Sequence, residues 1–212
     1  MRVVVFGASG MVGQGVMREC LLDPGVGEVV SVVRKPSGKT DPKLVEVVHA
    51  DFEDFTGIPA DFDACFWCLG VTSAGLDEAA YTKITHDYAI AAGRVLAKPS
   101  CTLVFVSGAG ADGNAMWARV KKRTETELAA MPWKQAFVFR PGMIRPLHGI
   151  RSRTRMYNVL YPLLWPFMQL ARVIAPGSVT STERVGRAML KVARDGYREP
   201  ILGNRDINEA AA

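Results

Sequence analysis

The stretch VFGASGMVGQG, residues 5–15, decides the fold. It leaves the apolar run RVVVF (2–6), composed as a strand buried on both faces. It enters a segment in which Val12, Val16, Met17, Cys20 and Leu21 recur at helical spacing, until Asp23-Pro24-Gly25 stops it. Between strand and helix, Gly7, Gly10 and Gly13 spell G-x-x-G-x-x-G. Gly7 permits a tight turn, Gly10 lets the backbone approach a pyrophosphate, and Gly13 allows close helix–strand contact. Unpaired N–H groups at a helix start, with the helix dipole, then hold the anion. Residues Gly7, Ala8, Ser9, Gly10, Met11, Val12 and Gly13 are the expected phosphate loop of a dinucleotide site.

The next strand, EVVSVV (28–33), tells which dinucleotide. An NAD site places a carboxylate at the end of this strand for the ribose 2′-hydroxyl. Here Arg34 and Lys35 stand there, and Glu28 opens the strand at the wrong end. Two cations pair with a 2′-phosphate that a carboxylate repels. NADP(H) is therefore expected over NAD(H), a solvated loop pair being the bland alternative. Asp51 and Phe52, after the run LVEVV (44–48), are expected at the adenine. Leu69, Gly70 and Val71, after ACFWCL (64–69), are expected at the adenosine ribose. Both lie where ligands bind, beyond strand C-termini.

Further along, apolar runs and helical patterns keep alternating. Ile84, Tyr88, Ala91, Ala92 and Val95 mark a helix ended by Lys98-Pro99, TLVFV (102–106) is a strand, 115–131 a helix, and QAFVF (135–139) a strand. This is the signature of an α/β protein with a doubly wound parallel sheet. After Arg140 the chain turns basic and turn-rich, then apolar. A last helix spans about 182–194, with Thr180 and Glu183 as its capping box, and EPILG is a last edge strand. The chain reads as one domain, 1–212, with a cofactor core (1–140) and a small C-terminal substrate-side extension (141–212).

The 212 residues are 49% hydrophobic, enough for a sizeable core. A net charge of +5 suits an anionic cofactor and is too small to argue for nucleic acid. Of the four cysteines, Cys65 and Cys68 form C-x-x-C inside a strand, where no exposed helix start lowers a thiol pKa, so inert thiols are expected. No signal peptide is visible before the first strand, and the cytoplasm is the default address. His148 lacks a His or Cys at ligand spacing, so no metal site is expected.

GASGMVG, HADF, CLGVT, VSGAGAD, MWARVK, TETEL and FRPG follow one another in an order that resembles the short-chain dehydrogenase/reductases. The nearest likeness is their atypical branch, with the Tat-interacting oxidoreductase-like and epimerase/dehydratase-type proteins. It covers about 1–145 well and the rest loosely. The resemblance implies a Rossmann fold of strand order 3-2-1-4-5-6 plus an edge strand, NADP(H) binding, and Pro141 and Gly142 at the cofactor. It implies a Ser-Tyr-Lys catalytic set. Lys121 matches the lysine, which holds the nicotinamide ribose; Ser107, with Gly108 after it, matches the serine region. Trp117 stands at the tyrosine. Trp117 and Lys121 are i and i+4, so they share a helix face. An indole N–H donates but does not titrate in water, and losing a general acid costs about 10²–10⁴-fold in rate.

Three readings of Trp117 are open: a flat floor with Lys121 still on the ribose; a proton from Tyr81, Tyr157 or Lys122; or no reaction at all. The function expected is thus an NADP(H)-binding oxidoreductase-like protein acting on a small-molecule carbonyl or hydroxyl with an impaired catalytic set. The alternatives are a non-enzymatic NADPH sensor and a peripheral membrane protein. The last rests on 145–172, where Arg145, Arg151, Arg153 and Arg155 precede sixteen uncharged residues bearing Tyr157, Tyr161 and Trp165. That run falls short of the roughly 20 residues of a spanning helix. A substrate-cleft wall comes first for it and a homodimer face second.

Overall fold

A computed structural model describes residues 1–55, 57–150 and 177–212. Strand β1 (Arg2–Phe6) leads into helix α1 (Met11–Leu22), followed by β2 (Glu28–Val33), β3 (Leu44–Val48) and β4 (Ala64–Trp67). A continuous helical run comes next: α2 (Glu78–Thr82), one π-helical turn (Lys83–Asp87) and α3 (Tyr88–Leu96). Strand β5 (Thr102–Val106), α4 (Met116–Ala129) and β6 (Gln135–Phe139) complete the alternation. The seventh strand of the sheet is β9 (Ile201–Leu202), and the order is β3-β2-β1-β4-β5-β6-β9 with every pairing parallel. This is the doubly wound fold expected, edge strand included.

The period-2 pleat explains the two cores. Val3 and Val5 of β1 face one side, with Phe66, Val104 and Phe139; Val4 and Phe6 face the other, with Trp67, Leu103 and Phe105. The first side is covered by α1 and by α5 (Thr182–Asp195), whose Val185, Ala188, Met189 and Val192 form one apolar stripe. The two helices meet backbone to backbone. A Cβ on Gly15 would lie 2.5 Å from the Thr182 carbonyl oxygen, and one on Gly186 would lie 2.7 Å from Glu19 Cγ. The buried Glu19 carboxylate is paired with Arg18 and, at 3.2 Å, with Arg187. The second side is covered by α3, α4 and the segment holding Phe52, Phe55 and Phe62.

Three sequence expectations change. The residue that caps α5 is Ser181, which accepts the Arg184 N–H at 3.1 Å; Thr180 lies one residue earlier in β8 (Val179–Ser181). The helix around 84–95 starts earlier, at Glu78, where Asp77 accepts the Ala80 N–H at 2.8 Å. The reading of 141–212 as wholly substrate-side narrows as well. Strand β9, helix α5 and the short α6 (Asn204–Ala210) are built into or against the main core through Val185, Leu202 and Ile207. Strand β7 (Met143–Arg145) pairs in parallel with β8 as a separate two-stranded sheet. Tyr157, Tyr161, Trp165 and the arginines 151, 153 and 155 lie outside the described residues. The membrane and cleft-wall readings of 145–172 go with them, apart from residues 145–150. Among the described residues no helix is long and apolar enough to cross a membrane.

Candidate functional site

The C-terminal ends of β1 and β4 and the start of α1 form a mouth whose shape is set by two glycines. Gly7 has φ +75°, and a Cβ there would sit 2.6 Å from Cys68 C and Leu69 N. A Cβ on Gly13 would sit 2.1 Å from the Gly7 carbonyl oxygen. Neither position has room for a side chain. Gly10 differs: its Cβ would find only the Gly7 carbonyl oxygen, at 3.3 Å. The contact is tight but single, so packing constrains Gly10 less than Gly7 or Gly13, and its bareness keeps open the space in front of the helix. Gly10 caps α1 without a side-chain hydrogen bond, and the first turn carries no carboxylate. Ser9 is tied back by Gln14, whose amide donates to the Ser9 carbonyl at 3.2 Å. This cradle fits the diphosphate of a dinucleotide.

Around this mouth the expected contacts divide. Arg34 and Lys35 are exposed at the end of β2, beside β1. Glu28 lies at the far end of β2, 2.9 Å from Arg2, and cannot reach a ribose at the mouth. Gly70 and Val71 are exposed and Leu69 half-buried, with open space over Gly70. Asp51 is exposed, accepting the Glu53 N–H at 2.9 Å. Phe52 departs from expectation. Its ring is buried, edge-on to Phe55 at 5.6 Å and tilted to Tyr88 at 5.8 Å, so it belongs to the core and offers no free face to an adenine.

The second half of the site is the inner face of α4. Trp117, Lys121 and Glu125 fall at i, i+4 and i+8, one above the other. Trp117 is half-buried, its ring edge against the loop after β5, where a Cβ on Gly110 would stand 3.4 Å away. Lys121 is half-buried with Nζ 5.8 Å from the centre of the Phe105 ring. Burial lowers its pKa from 10.5 to about 8, against the opposing effect of the Glu125 carboxylate.

Glu125 itself is buried and fully engaged. It accepts the Ser107 hydroxyl proton at 2.5 Å and is gripped by Arg140 through Nε at 3.1 Å and Nη2 at 2.5 Å. Arg140 also meets Asp112, which in turn takes Lys122 at 2.7 Å. Those two cations hold the Asp112 carboxyl below its usual range. The backbone closes the same seam, Ser107 N–H donating to the Phe139 carbonyl at 2.7 Å and Ala109 N–H to that of Pro141 at 3.0 Å. Pro141 is buried in this seam, and the Gly142 N–H is donated to Asn204 at 3.1 Å.

This arrangement revises the expected catalytic set. Ser107 has given its one hydroxyl proton to Glu125, so it cannot also donate to a substrate oxygen. Gly108 offers no side chain. Tyr81 is buried in α2, where desolvation raises its phenol further above 10. Lys122, the next residue round α4, donates to Asp112 at 2.7 Å beside an open cavity of about 480 Å³ lined also by Arg119, Arg123 and Glu127. Neither Trp117 nor Lys121 lines that cavity. The thiols are inert: burial pushes Cys68 and Cys101 up to about 12 and Cys20 and Cys65 well above their ordinary values. His148 pairs with Glu183 at 2.6 Å, and among the described residues no cluster of His, Cys, Asp or Glu could hold a metal. The sequence reading overlooked Glu125, Arg140 and Asp112. The signal was the i+8 continuation of the Trp117–Lys121 stripe into TETEL.

No family model matches the chain. The mitochondrial protein FMP52 of Saccharomyces cerevisiae is 30% identical over 166 residues, which cover 73% of this chain and 69% of that protein. Its namesake in Eremothecium gossypii is 27% identical over 150 residues, covering 68% of this chain and 66% of its own length. The chain thus spans about two thirds of these relatives. Among solved structures, a UDP-glucuronic acid 4-epimerase from Bacillus cereus in complex with NAD superposes with TM-score 0.71 at 10% identity, over 96% of this chain and 78% of that one. A short-chain dehydrogenase/reductase-family oxidoreductase from Burkholderia thailandensis gives 0.69 at 13%, over 99% and 92%. MoeE5 in complex with UDP-glucose and NAD gives 0.67 at 17%, over 96% and 75%. At these identities the structures speak for the fold. The cytoplasmic address expected from the sequence is overturned, since the FMP52 relatives are named as mitochondrial proteins.

Proposed function

Because the chain belongs to the FMP52 family and has the Rossmann fold of the atypical short-chain dehydrogenase/reductases, we propose that it binds NADP(H) and serves as an oxidoreductase on a small carbonyl or hydroxyl compound. The observation that carries this reading is the mouth at Gly7, Gly10 and Gly13, open in front of a helix whose N-cap has no side chain. Similarly folded proteins bind NAD, as the B. cereus epimerase and MoeE5 complexes do. The extra phosphate of NADP(H) would face Arg34 and Lys35, the exposed cations that end β2 where an NAD site has a carboxylate. Lys121 would hold the nicotinamide ribose, with Trp117 as the flat wall beside it. Bound, the dihydronicotinamide supplies a hydride; the chain's residues position the two reactants and exclude water.

A second reading, a sensor that binds NADPH without turnover, is favoured by one observation. The tyrosine position holds an indole, which has no proton to give near neutral pH. A thermal-shift series with NADP+, NADPH, NAD+ and NADH tests the cofactor. The phosphorylated pair should stabilise by about 2.7 kcal/mol at a hundredfold excess over Kd. Arg34→Ala with Lys35→Ala should erase its advantage. An equal response to all four would remove the 2′-phosphate argument.

A further inference from the structure

With Trp117 at the tyrosine position, a reduced substrate oxygen needs another proton source. We propose that Lys121 itself is the proton donor: its ammonium Nζ protonates the oxygen of a carbonyl substrate directly, in the place where Trp117 has removed the tyrosine. This rests on the oxidoreductase reading and goes beyond the ribose-holding role.

Lys121 stands above the β5 side chain Phe105, near the C-terminal edge of the sheet, where ligands bind in this architecture. Around it, β5 presents an apolar ring and α4 presents Trp117 and Glu125. The end of β6 brings Arg140 and the loop after β5 brings Ser107 and Asp112, all engaged with Glu125 or with one another. Glu125 is thereby held by three hydrogen bonds from Ser107 and Arg140. Lys121 is left beside it as a cation over a hydrophobic floor.

Among the described residues, the other proton carriers near this face are spent. Ser107 has donated, Tyr81 is inside the core, and Lys122 is paired with Asp112. A lysine whose burial brings it to about 8 can give up a proton near neutral pH, as a surface lysine cannot.

The step balances. The carbonyl carbon takes a hydride from a dihydronicotinamide dinucleotide, which is thereby oxidised. The C=O π pair moves to oxygen, and that oxygen forms its O–H bond with a proton from Nζ. Lys121 is left as a neutral amine, reprotonated by water. In the reverse direction the same amine is the base.

Two measurements test this on the whole protein. Competitive labelling of the cofactor-free protein with acetic anhydride reads the titration of Lys121 without any turnover. Its reactivity should reach half-maximum near pH 8, well below that of the exposed lysines. NADPH oxidation with phenanthrenequinone and para-nitrobenzaldehyde, followed across pH, should show kcat falling above pH 8. Lys121→Arg keeps the positive charge but has no proton to give. It should bind NADPH within about threefold while kcat falls by about a hundredfold or more and the alkaline limb disappears.

The proposal is overturned if Lys121→Arg keeps kcat within threefold, or if Tyr157→Phe abolishes the alkaline limb and Lys121→Arg does not. Lys121 titrating with the surface lysines overturns it as well. NADPH bound with neither carbonyl reduced overturns the donor role and leaves the cofactor reading standing; no NADPH response in the thermal-shift series overturns both.

Discussion

The mouth of β1–α1 and the inner face of α4 sit on the same edge of one sheet, yet they are constrained by different physics. At the mouth the constraint is space. A single added carbon at Gly7 or Gly13 runs into backbone 2.6 or 2.1 Å away. On α4 the constraint is charge. Glu125, Arg140, Asp112 and Ser107 are locked together by complementary donors and acceptors, and the position one turn before Lys121 is free to hold any flat side chain that packs against Gly110. The difference teaches that the two regions answer to different substitutions: added volume at the mouth, altered charge on α4. An indole at position 117 fills the space beside Gly110 and carries no acid, whereas Gly7 and Gly13 have room for no side chain at all.

The sharpest way to break this comparison is at Gly13. Gly13→Val should cost about 3 kcal/mol or more, through overpacking against Gly7, and be seen as a collapsed denaturant midpoint or insoluble protein. Gly10→Ala is its counterpart. The fold should survive within about 1 kcal/mol, since the new methyl meets one oxygen at 3.3 Å, while the dinucleotide thermal shift is lost. A Gly10→Ala protein that still responds fully to NADPH shows that the mouth is not where the diphosphate lies.

An effect as large as that of Gly13→Val belongs to α4. Glu125→Ala leaves the Arg140 guanidinium, only 12% exposed, with one carboxylate instead of two, and the Ser107 hydroxyl with none. The expected loss is about 3–5 kcal/mol in urea unfolding, with Glu125→Gln losing less because it can still accept from Ser107 and Arg140. A loss under about 1 kcal/mol for Glu125→Ala would mean that the charge network holds little of this face together.

The two regions were unequally legible in the sequence. The mouth could be read because its signals are local: three glycines at fixed spacing, a buried strand before them and an apolar helical stripe after. The strand order followed from the alternation of β and α patterns. The α4 network joins residues from positions 107, 112, 125 and 140, which only the parallel pairing of β5 with β6 brings side by side. Nothing in the local pattern of TETEL or FRPG says that Glu125 and Arg140 meet. Phe52 shows the reverse failure: the sequence placed it correctly after β3, but burial sends its ring into the core between Phe55 and Tyr88 and away from a ligand. The cap of α5 slipped from Thr180 to Ser181 because β8, three residues long, was too short to leave a pattern.

Lys121 gives the smallest expected effect, and it separates a lysine held for chemistry from one held for stability. Its folded pKa of about 8 lies below the ordinary 10.5. Below pH 8 both folded and unfolded chains keep the proton, and the folded state bears the full cost of the half-buried charge. Between pH 8 and 10.5 the unfolded chain binds more protons than the folded one, so stability rises with pH through that window; above it the cost is gone. Lys121→Met removes the charge and keeps the length of the side chain. The variant should be more stable than the parent at pH 7, by about 1 kcal/mol once solvent screening of a half-exposed group is allowed for. That advantage should shrink steadily towards pH 10. A Tm for Lys121→Met that is lower at pH 7, or a difference that does not depend on pH, would make the lysine a structural partner of Glu125. A gain in stability bought with the loss of carbonyl reduction would mark Lys121 as a cation that the fold tolerates for its reactivity.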